Sequence, residues 1–270
     1  MDLQLEGRRA LVTGSSSGIG AGIARVLAAE GAVVAVHGRD AKRTHEVANE
    51  IIRAGGKAVV ILGDLTTEEG TTHVADAALA ELRGIDILVN NAGGKTVAGN
   101  PPWFDVGWSD WLGTYEMNVG AAVRLIHQLV PGMKERGWGR VIQIGSASGI
   151  QPEPFIGEYQ AAKAAMVNIS VSLARTLAHT GITVNTVTPG TILTPAVERW
   201  LADVAKQHNW GDDWSVIEKR FTTEMIPLDT DQLGRPEDIG RVVALMASPL
   251  SGYISGANYR VDGGQCRSVN

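Results

Sequence analysis

The fold is decided by Leu11-Val12-Thr13-Gly14-Ser15-Ser16-Ser17-Gly18-Ile19-Gly20, a stretch that joins an apolar strand to the start of a helix. Its glycines permit a tight turn and a close approach of backbone to a diphosphate. The N–H groups at the N-terminus of the following helix point at the anion. The spacing is G-x-x-x-G-x-G rather than the commoner G-x-G-x-x-G. The stretch predicts a dinucleotide-binding turn, and the rest of the chain must support this prediction.

The rest of the chain continues the alternation of strand and helix. Short runs rich in Val and Ile predict strands at 10–13, 33–37, 58–62, 85–89, 141–144, 183–188 and 259–261. Longer periodic patterns predict helices at 19–30, 41–54, 68–82, 108–136, 158–179 and 236–247. Nearly continuous apolar strands between helices are typical of a parallel sheet covered on both faces. We predict a single α/β domain over residues 1–270, built on a doubly wound parallel sheet.

One segment, 193–233, departs from this alternation. It is a long insertion with helical patterns at 195–207 and 214–225, and it contains Trp200, Trp210 and Trp214. Insertions of this length in compact domains are often lids or binding loops. We predict a helical substrate lid. The alternative is a surface helical hairpin whose tryptophans only pack it against the domain.

The composition excludes several classes of protein. A net charge of -5 over 270 residues, with no basic stripe, argues against a nucleic-acid partner. No apolar run reaches membrane-spanning length, and the N-terminus lacks the features of a signal peptide. The single cysteine, Cys266, excludes an internal disulfide, and the six histidines show no metal-ligand spacing. We expect a cytoplasmic protein with no metal site and no membrane partner.

The end of the second predicted strand bears on the choice of dinucleotide. An acidic residue about 20 positions past the glycine turn would bind the ribose 2′-hydroxyl of NAD. Gly38 occupies that position here, and Arg39 follows it. A guanidinium suits a 2′-phosphate, which favours NADP over NAD. The alternatives are that Arg39 is a solvated loop residue and that Asp40 simply caps the next helix.

A possible proton-transfer site comes later in the chain. Ser146 ends a predicted strand, Tyr159 follows thirteen positions later, and Lys163 lies four positions beyond it. On a helix, Tyr159 and Lys163 would share one face. A neighbouring ammonium would lower the tyrosine pKa from its usual value of about 10. The serine hydroxyl could meet the same substrate oxygen, so the three residues suit proton transfer to or from that oxygen.

Taken together, these motifs resemble those of the short-chain dehydrogenase/reductase family over nearly the whole chain, including members that reduce 3-oxoacyl thioesters. The matching motifs are Thr13–Gly20, Asp64-Leu65, Asn90-Asn91-Ala92-Gly93, Asn118, Ser146, Tyr159, Lys163, Pro189-Gly190 and Asp262-Gly263-Gly264. The resemblance implies a Rossmann-type fold and an NADP- or NAD-dependent oxidoreductase. It also implies that Tyr159 is the catalytic acid or base, Ser146 holds the substrate oxygen, and Lys163 binds the nicotinamide ribose. Asn118 would support a water chain to Lys163.

The resemblance further implies a set of cofactor contacts and an assembly. The contacts would be Gly14, Ser16, Ser17, Gly18, Ile19, Gly20, Arg39, Asp64, Leu65, Asn90, Asn91, Ala92, Gly93, Tyr159, Lys163, Pro189, Gly190, Ile192 and Thr194. The assembly would be a homotetramer, with candidate interfaces at 108–136, 158–179 and 252–264.

Three functional classes stay open. The first is an NADP-dependent ketone or 3-oxoacyl reductase. The second is an NADP- or NAD-dependent dehydrogenase of a sugar, polyol or cyclic alcohol. The third possibility is a non-catalytic dinucleotide-binding protein, which would not need Ser146, Tyr159 and Lys163. Aromatic residues at 103–108 and 155 and in the lid could form an apolar or ring-stacking pocket, but tryptophan also stacks on sugars.

Overall fold

The computed structural model describes residues 1–268, in which seven parallel strands form one sheet. The strands are β1 (Arg9–Val12), β2 (Val33–Gly38), β3 (Lys57–Leu62), β4 (Ile87–Asn90), β5 (Gly139–Ile144), β6 (Ile182–Pro189) and β7 (Asn258–Val261). Their order is β3-β2-β1-β4-β5-β6-β7. The chain therefore winds outward in both directions from β1 and β4, which confirms the predicted doubly wound sheet.

The helices also follow the prediction, with one informative exception. They are α1 (Gly18–Ala29), α2 (Ala41–Arg53), α3 (Glu68–Leu82), α4 (Trp108–Tyr115), α5 (Ala121–Glu135), α6 (Gly157–Thr176), α7 (Pro195–Gln207), α8 (Trp214–Arg220) and α9 (Pro236–Ala247). The helix predicted at 108–136 is interrupted, because a π-helical turn, Glu116–Gly120, separates α4 from α5. A second π-helical turn, Phe221–Met225, follows α8. Such turns insert an extra residue without ending the apolar pattern, so the sequence does not reveal them.

Two layers of helices cover the sheet. On one face, α1, α2 and α9 pack through residues such as Ile23, Val47 and Val243. On the other face, α3 and α5 pack through residues such as Val74 and Leu125. Strands buried on both sides must be apolar throughout, which explains the continuous apolar runs in the sequence.

The predicted lid has a small core of its own. Leu201, Trp210, Ile217 and Phe221 are buried together between α7 and α8, with Trp214 partly buried against them. Trp210 and Trp214 therefore pack within the segment 193–233 itself. Trp200 remains 40% exposed and stacks edge-on against Phe221, with 5.4 Å between ring centroids.

Because the strands are parallel, all their carboxyl ends lie at one edge of the sheet. The glycine turn follows β1, Arg39 follows β2, Asp64 follows β3, Asn91 follows β4 and Ser146 follows β5. In open α/β sheets, ligands bind at this edge, where the strand order reverses. Within residues 1–268, no helix combines the length and the apolar character needed to cross a membrane.

Candidate active site

The turn between β1 and α1 brings its backbone close to neighbouring backbone. Gly14 and Gly18 adopt φ angles of 63° and 56°, which favour glycine. A side chain at Gly14 would begin only 2.9 Å from the Cα atom of Ala92. Ser17, the residue before α1, makes no side-chain hydrogen bond to the helix. This geometry suits a phosphate at the N-terminus of α1.

The His37 side chain contacts this turn and the residue that follows β3. Its Nδ1 accepts a hydrogen bond from the Gly14 N–H at 3.0 Å, and its Nε2 lies 3.2 Å from the Gly63 carbonyl. Nδ1 must therefore be unprotonated, which leaves Nε2–H as the donor to Gly63. Burial lowers the pKa of His37 to about 4. A neutral imidazole thus ties the glycine turn to the end of β3.

Arg39 lies at the rim of the same cleft. Its guanidinium is 3.9 Å from the Asp64 carboxylate, and both side chains are largely exposed. Hydrogen bonds from Thr66 hold the pKa of Asp64 below its usual range, so Asp64 is charged at neutral pH. Asp40 accepts a hydrogen bond from the Arg43 N–H at 3.0 Å, which confirms its predicted role as the cap of α2. Arg43 joins Arg39 at the cleft as a second guanidinium.

The cleft has a volume of about 310 Å³ and collects half of the predicted cofactor contacts. Its lining includes Gly14, Ser16, Ser17, Arg39, Asp64, Leu65, Asn91, Ala92 and Gly93. Asn90, which was predicted to line it, does not do so; it is the last residue of β4 and is 3% exposed. Residues that were not predicted as cofactor contacts also line the cleft: His37, Gly38, Asp40, Arg43, Gly63, Thr66 and Met117.

The remaining predicted contacts lie around this cleft. Gly18, Ile19 and Gly20 form the first turn of α1. Pro189 ends β6, and the Gly190 N–H donates to the Val261 carbonyl at 3.0 Å. Ile192 is buried. Thr194 caps α7, and its methyl group lies 3.2 Å from the point where a side chain at Gly18 would begin. The start of the lid therefore contacts the glycine turn.

Ser146, Tyr159 and Lys163 come together at the end of β5. The Lys163 Nζ donates to the Ile144 carbonyl at 3.0 Å and lies 5.6 Å from the centroid of the Tyr159 ring. The Ser146 Oγ accepts a hydrogen bond from the Ser148 N–H at 3.2 Å. The half-buried serine and phenol and the buried ammonium therefore form one cluster beside the cofactor cleft.

The protonation states differ from the prediction at Tyr159. Burial raises the pKa of Tyr159, and hydrogen bonding from Ser146 only partly opposes this. The expected lowering by Lys163 is wrong for this structure, because the loss of hydration outweighs any effect of the ammonium. Burial also lowers the pKa of Lys163 to about 8. At neutral pH the site therefore holds a protonated phenol next to a charged lysine.

Asn118 lies in the π-helical turn and is buried. Its Nδ2 donates to the carbonyls of Thr114 at 2.7 Å and Gly94 at 2.6 Å, and its Oδ1 accepts from the Gly94 N–H at 3.2 Å. A side chain at Gly93 would collide with Asn118 Oδ1 and begin 3.2 Å from Lys163 Nζ. Asn118 and Lys163 therefore flank the segment after β4. The irregular turn is what directs Asn118 toward this segment.

Sequence reasoning missed Glu158, the residue before Tyr159. It is 2% exposed, and neither carboxylate oxygen has a hydrogen-bond partner among the residues described. Burial lowers the pKa of Lys95, and the charge of Glu158 opposes this effect. Glu158 is thus a buried acid within electrostatic reach of a lysine on the segment after β4. An acidic residue beside Tyr159 was visible in the sequence, but its burial depends on packing against α4.

Aromatic residues surround the entrance to this cluster. A bridge joins Pro102 to Phe155, and a side chain at Gly157 would begin 2.6 Å from the Trp103 ring. Phe104 and Trp108 are 91% and 73% exposed. Across the part of the chain that the structure describes, no group of three or more His, Cys, Asp or Glu side chains is placed to hold a metal ion.

Two curated relatives are similar to this chain over nearly its whole length. The uncharacterized oxidoreductase YvaG of Bacillus subtilis is 39% identical, with 100% of both chains covered. The 3-oxoacyl-[acyl-carrier-protein] reductase FabG of Vibrio cholerae is 33% identical, with 97% of this chain and 98% of the relative covered.

Two solved structures are similar as well. L-sorbose reductase from Gluconobacter frateurii, complexed with NADPH and L-sorbose, has a TM-score of 0.92 at 34% identity, with both chains covered completely. A 7 alpha-hydroxysteroid dehydrogenase complexed with NADH and 7-oxo glycochenodeoxycholic acid has a TM-score of 0.84 at 31% identity, covering 100% of this chain and 98% of the other. A family model described as short chain dehydrogenase matches residues 8–205. The chain therefore belongs to the short-chain dehydrogenase family of oxidoreductases.

Proposed function

We propose that this protein is an NADP-dependent oxidoreductase that interconverts a carbonyl group and a secondary alcohol, acting as a ketone or 3-oxoacyl reductase. The observation that carries the proposal is the cluster of Ser146, Tyr159 and Lys163 beside a dinucleotide cleft. A non-catalytic binding protein has no need of such a cluster. The similarity to a 3-oxoacyl reductase supports the substrate class.

The residues of the cleft fit a nicotinamide dinucleotide. The close approach of Gly14 to Ala92 and the uncapped start of α1 would accommodate the diphosphate. Arg39 and Arg43 would bind a 2′-phosphate, which supports NADP over NAD. The similar L-sorbose reductase was solved with NADPH, whereas the similar hydroxysteroid dehydrogenase was solved with NADH. NAD is therefore the alternative cofactor. When bound, the nicotinamide would supply or accept a hydride.

Residues of the protein would donate the proton to the substrate oxygen and stabilise the charges that result. Tyr159, protonated at neutral pH because burial raises its pKa, would donate its proton to the substrate oxygen in the reductive direction. Ser146 would stabilise the charge that develops on that oxygen. Lys163 would hold the nicotinamide ribose and, as an ammonium, stabilise the phenolate that remains. Asn118 would position the segment that carries Gly93 and Gly94 against this cluster.

A sugar or polyol is the second candidate substrate class. It is favoured by the similarity to L-sorbose reductase over the full length of both chains. Glu158 and Lys95 would add polar groups near Tyr159, and polar groups suit a polyhydroxylated substrate better than an acyl chain. A cyclic alcohol is a related option, because a hydroxysteroid dehydrogenase is also similar.

We further propose that residues 1–270 act as one dinucleotide-binding catalytic domain, with residues 193–233 as the substrate lid, in the cytoplasm. We also propose a homotetramer. Exposed apolar residues support it on two surfaces: Trp108 and Leu112 on α4, and Leu250 and Tyr253 near the C-terminus. Measurement of the mass in solution would test the assembly.

The function is tested by oxidation of NADPH and NADH with purified protein and a panel of 3-oxoacyl thioesters, cyclic ketones and ketoses. NADPH oxidation with one responsive class would support the proposal and select between the substrate classes. If no carbonyl or alcohol is turned over in either direction with either cofactor, the proposal is wrong.

A further inference from the structure

The chain after β7 makes a clasp, defined here as residues 262–267, that touches three separate segments at the edge of the sheet. The Thr191 N–H donates to Gln265 Oε1 at 2.8 Å, which attaches the clasp to the segment after β6. Cys266 Sγ lies 3.7 Å from the Ala147 carbonyl, next to Ser146. The Asp229 N–H donates to the Gly263 carbonyl at 2.7 Å, which attaches the clasp to the end of the lid.

Two glycines allow the clasp to turn back beneath the lid. Gly263 and Gly264 have φ angles of 60° and 80°, so other residues would be strained at both positions. A side chain at Gly264 would collide with the carboxylate of Asp229. The end of the lid therefore rests directly on the backbone of the clasp, and this contact needs glycine.

Arg267 extends the contact from the lid to the segment that follows Ser146. Its guanidinium donates to Asp229 Oδ1 at 2.9 Å and to the Pro227 carbonyl at 3.2 Å. Its backbone N–H donates to Gln151 Oε1 at 2.9 Å. Gln151 lies between Ser146 and Tyr159 in the sequence. One residue thus links the end of the lid to the segment that joins the two candidate catalytic residues.

We propose that Arg267 is a positioning residue that holds the lid against the segment between Ser146 and Tyr159. It acts through Asp229 and Gln151 and touches no reacting atom. The side chains of Arg267 and Asp229 are 58% and 67% exposed, so their attraction is screened by water. Arg267 therefore favours the observed position of the lid without fixing it rigidly. This inference goes beyond the proposed activity, since it concerns the position of residues 193–233.

Hydrogen–deuterium exchange on the full-length protein, with and without NADPH, tests the proposal without a known substrate. Arg267→Ala should raise the exchange of amides in 214–230 about threefold, the scale expected for a partly exposed ion pair. Exchange in α2 should not change. Asp229→Ala should also raise this exchange, and the effects of the two substitutions should be less than additive in the double variant, because both remove the Arg267–Asp229 ion pair. Lys57→Ala is the matched control, because Lys57 pairs with Glu6 in a similarly exposed ion pair that includes no residue of the lid or of the clasp.

Kinetics with any carbonyl that the protein reduces provide a second readout. Arg267→Ala should raise KM about threefold while kcat and the Kd for NADPH stay within about twofold of wild type. Unchanged exchange in 214–230, or single-variant effects that add in the double variant, would overturn the role of Arg267. Because exchange does not depend on turnover, failure of the proposed activity would leave this result intact and interpretable.

Discussion

Two regions of this molecule, the cofactor side around the glycine turn and the proposed substrate side around the lid, are stabilised by different kinds of contact. On the cofactor side, the backbone of Gly14 lies close to that of Ala92, and the His37 side chain contacts the backbone of both Gly14 and Gly63. On the substrate side, the lid has its own small core and is joined to the sheet by a few polar contacts of the clasp. The cofactor cleft is therefore fixed by close contacts between the ends of neighbouring strands, whereas the proposed substrate lid is attached to the sheet by exposed polar contacts.

The largest expected effect is that of a substitution at Tyr159, which should lower turnover without changing cofactor binding. Tyr159→Phe removes the proton donor and keeps the ring, so turnover should fall by at least about a hundredfold, the scale of general acid–base catalysis. The Kd for NADPH should stay near the wild-type value, because the contacts of the glycine turn are unchanged. Steady-state kinetics and a binding titration would measure the two effects.

Tyr253→Phe is the matched control for this substitution, because Tyr253 is fully exposed. It should behave as wild type. Turnover by Tyr159→Phe close to that of wild type would remove Tyr159 from the mechanism.

A pair of glycine substitutions tests the comparison itself. Gly14 on the cofactor side and Gly211 in the lid both have positive φ angles, 63° and 80°. Alanine at Gly14 would also meet the Ala92 backbone, whereas nothing lies within 4 Å of the corresponding point at Gly211. Gly14→Ala should raise the Kd for NADPH at least about tenfold, because strain and collision combine.

Gly211→Ala should carry only the backbone strain, about 1 kcal/mol of unfolding free energy, and leave the Kd unchanged. Denaturant unfolding and NADPH titration would measure both variants. Equal Kd values for the two variants would mean that close backbone approach does not define the cofactor site.

The pH dependence of the reaction follows from Lys163. Its pKa is lowered to about 8 by burial, so the ammonium is lost as pH rises above that value. The reductive kcat/KM should be level below about pH 7 and fall about tenfold per pH unit above pH 8, since the reaction needs the charged lysine. The raised pKa of Tyr159 leaves the phenol protonated over this range.

The oxidative direction needs the phenolate together with the charged lysine, so its rate should rise with pH up to about pH 8 and level off above it. Rate–pH profiles in both directions would test this. A reductive profile that stays level to pH 10 would contradict the assigned role of Lys163.

The fold was predictable because strands buried on both faces leave a clear pattern. Every predicted strand lies within about two residues of an observed one, for example β5 at Gly139–Ile144 against 141–144. The π-helical turn at Glu116–Gly120 was not predictable, since apolar residues continue on both sides of it. That turn determines the direction of the Asn118 side chain.

The candidate site was predictable where it depends on local motifs. The glycine turn, the Asp40 cap and the spacing of Tyr159 and Lys163 are short-range features, and each forms as predicted. The burial of Glu158, the raised pKa of Tyr159 and the contacts of Arg267 depend on residues far away in the sequence. No local pattern encodes such contacts, so they require the structure.

The central claim, that the protein is an NADP-dependent oxidoreductase, is tested most directly by its preference between NADPH and NADH. The measurement is a titration of NADPH and NADH into wild-type protein and into Arg39→Ala. We predict that wild type binds NADPH at least about tenfold more tightly than NADH, the scale of a hydrogen bond to a charged group. Arg39→Ala should lose most of that difference by weakening NADPH alone. Tighter binding of NADH by wild type, or an unchanged preference in Arg39→Ala, would contradict the account.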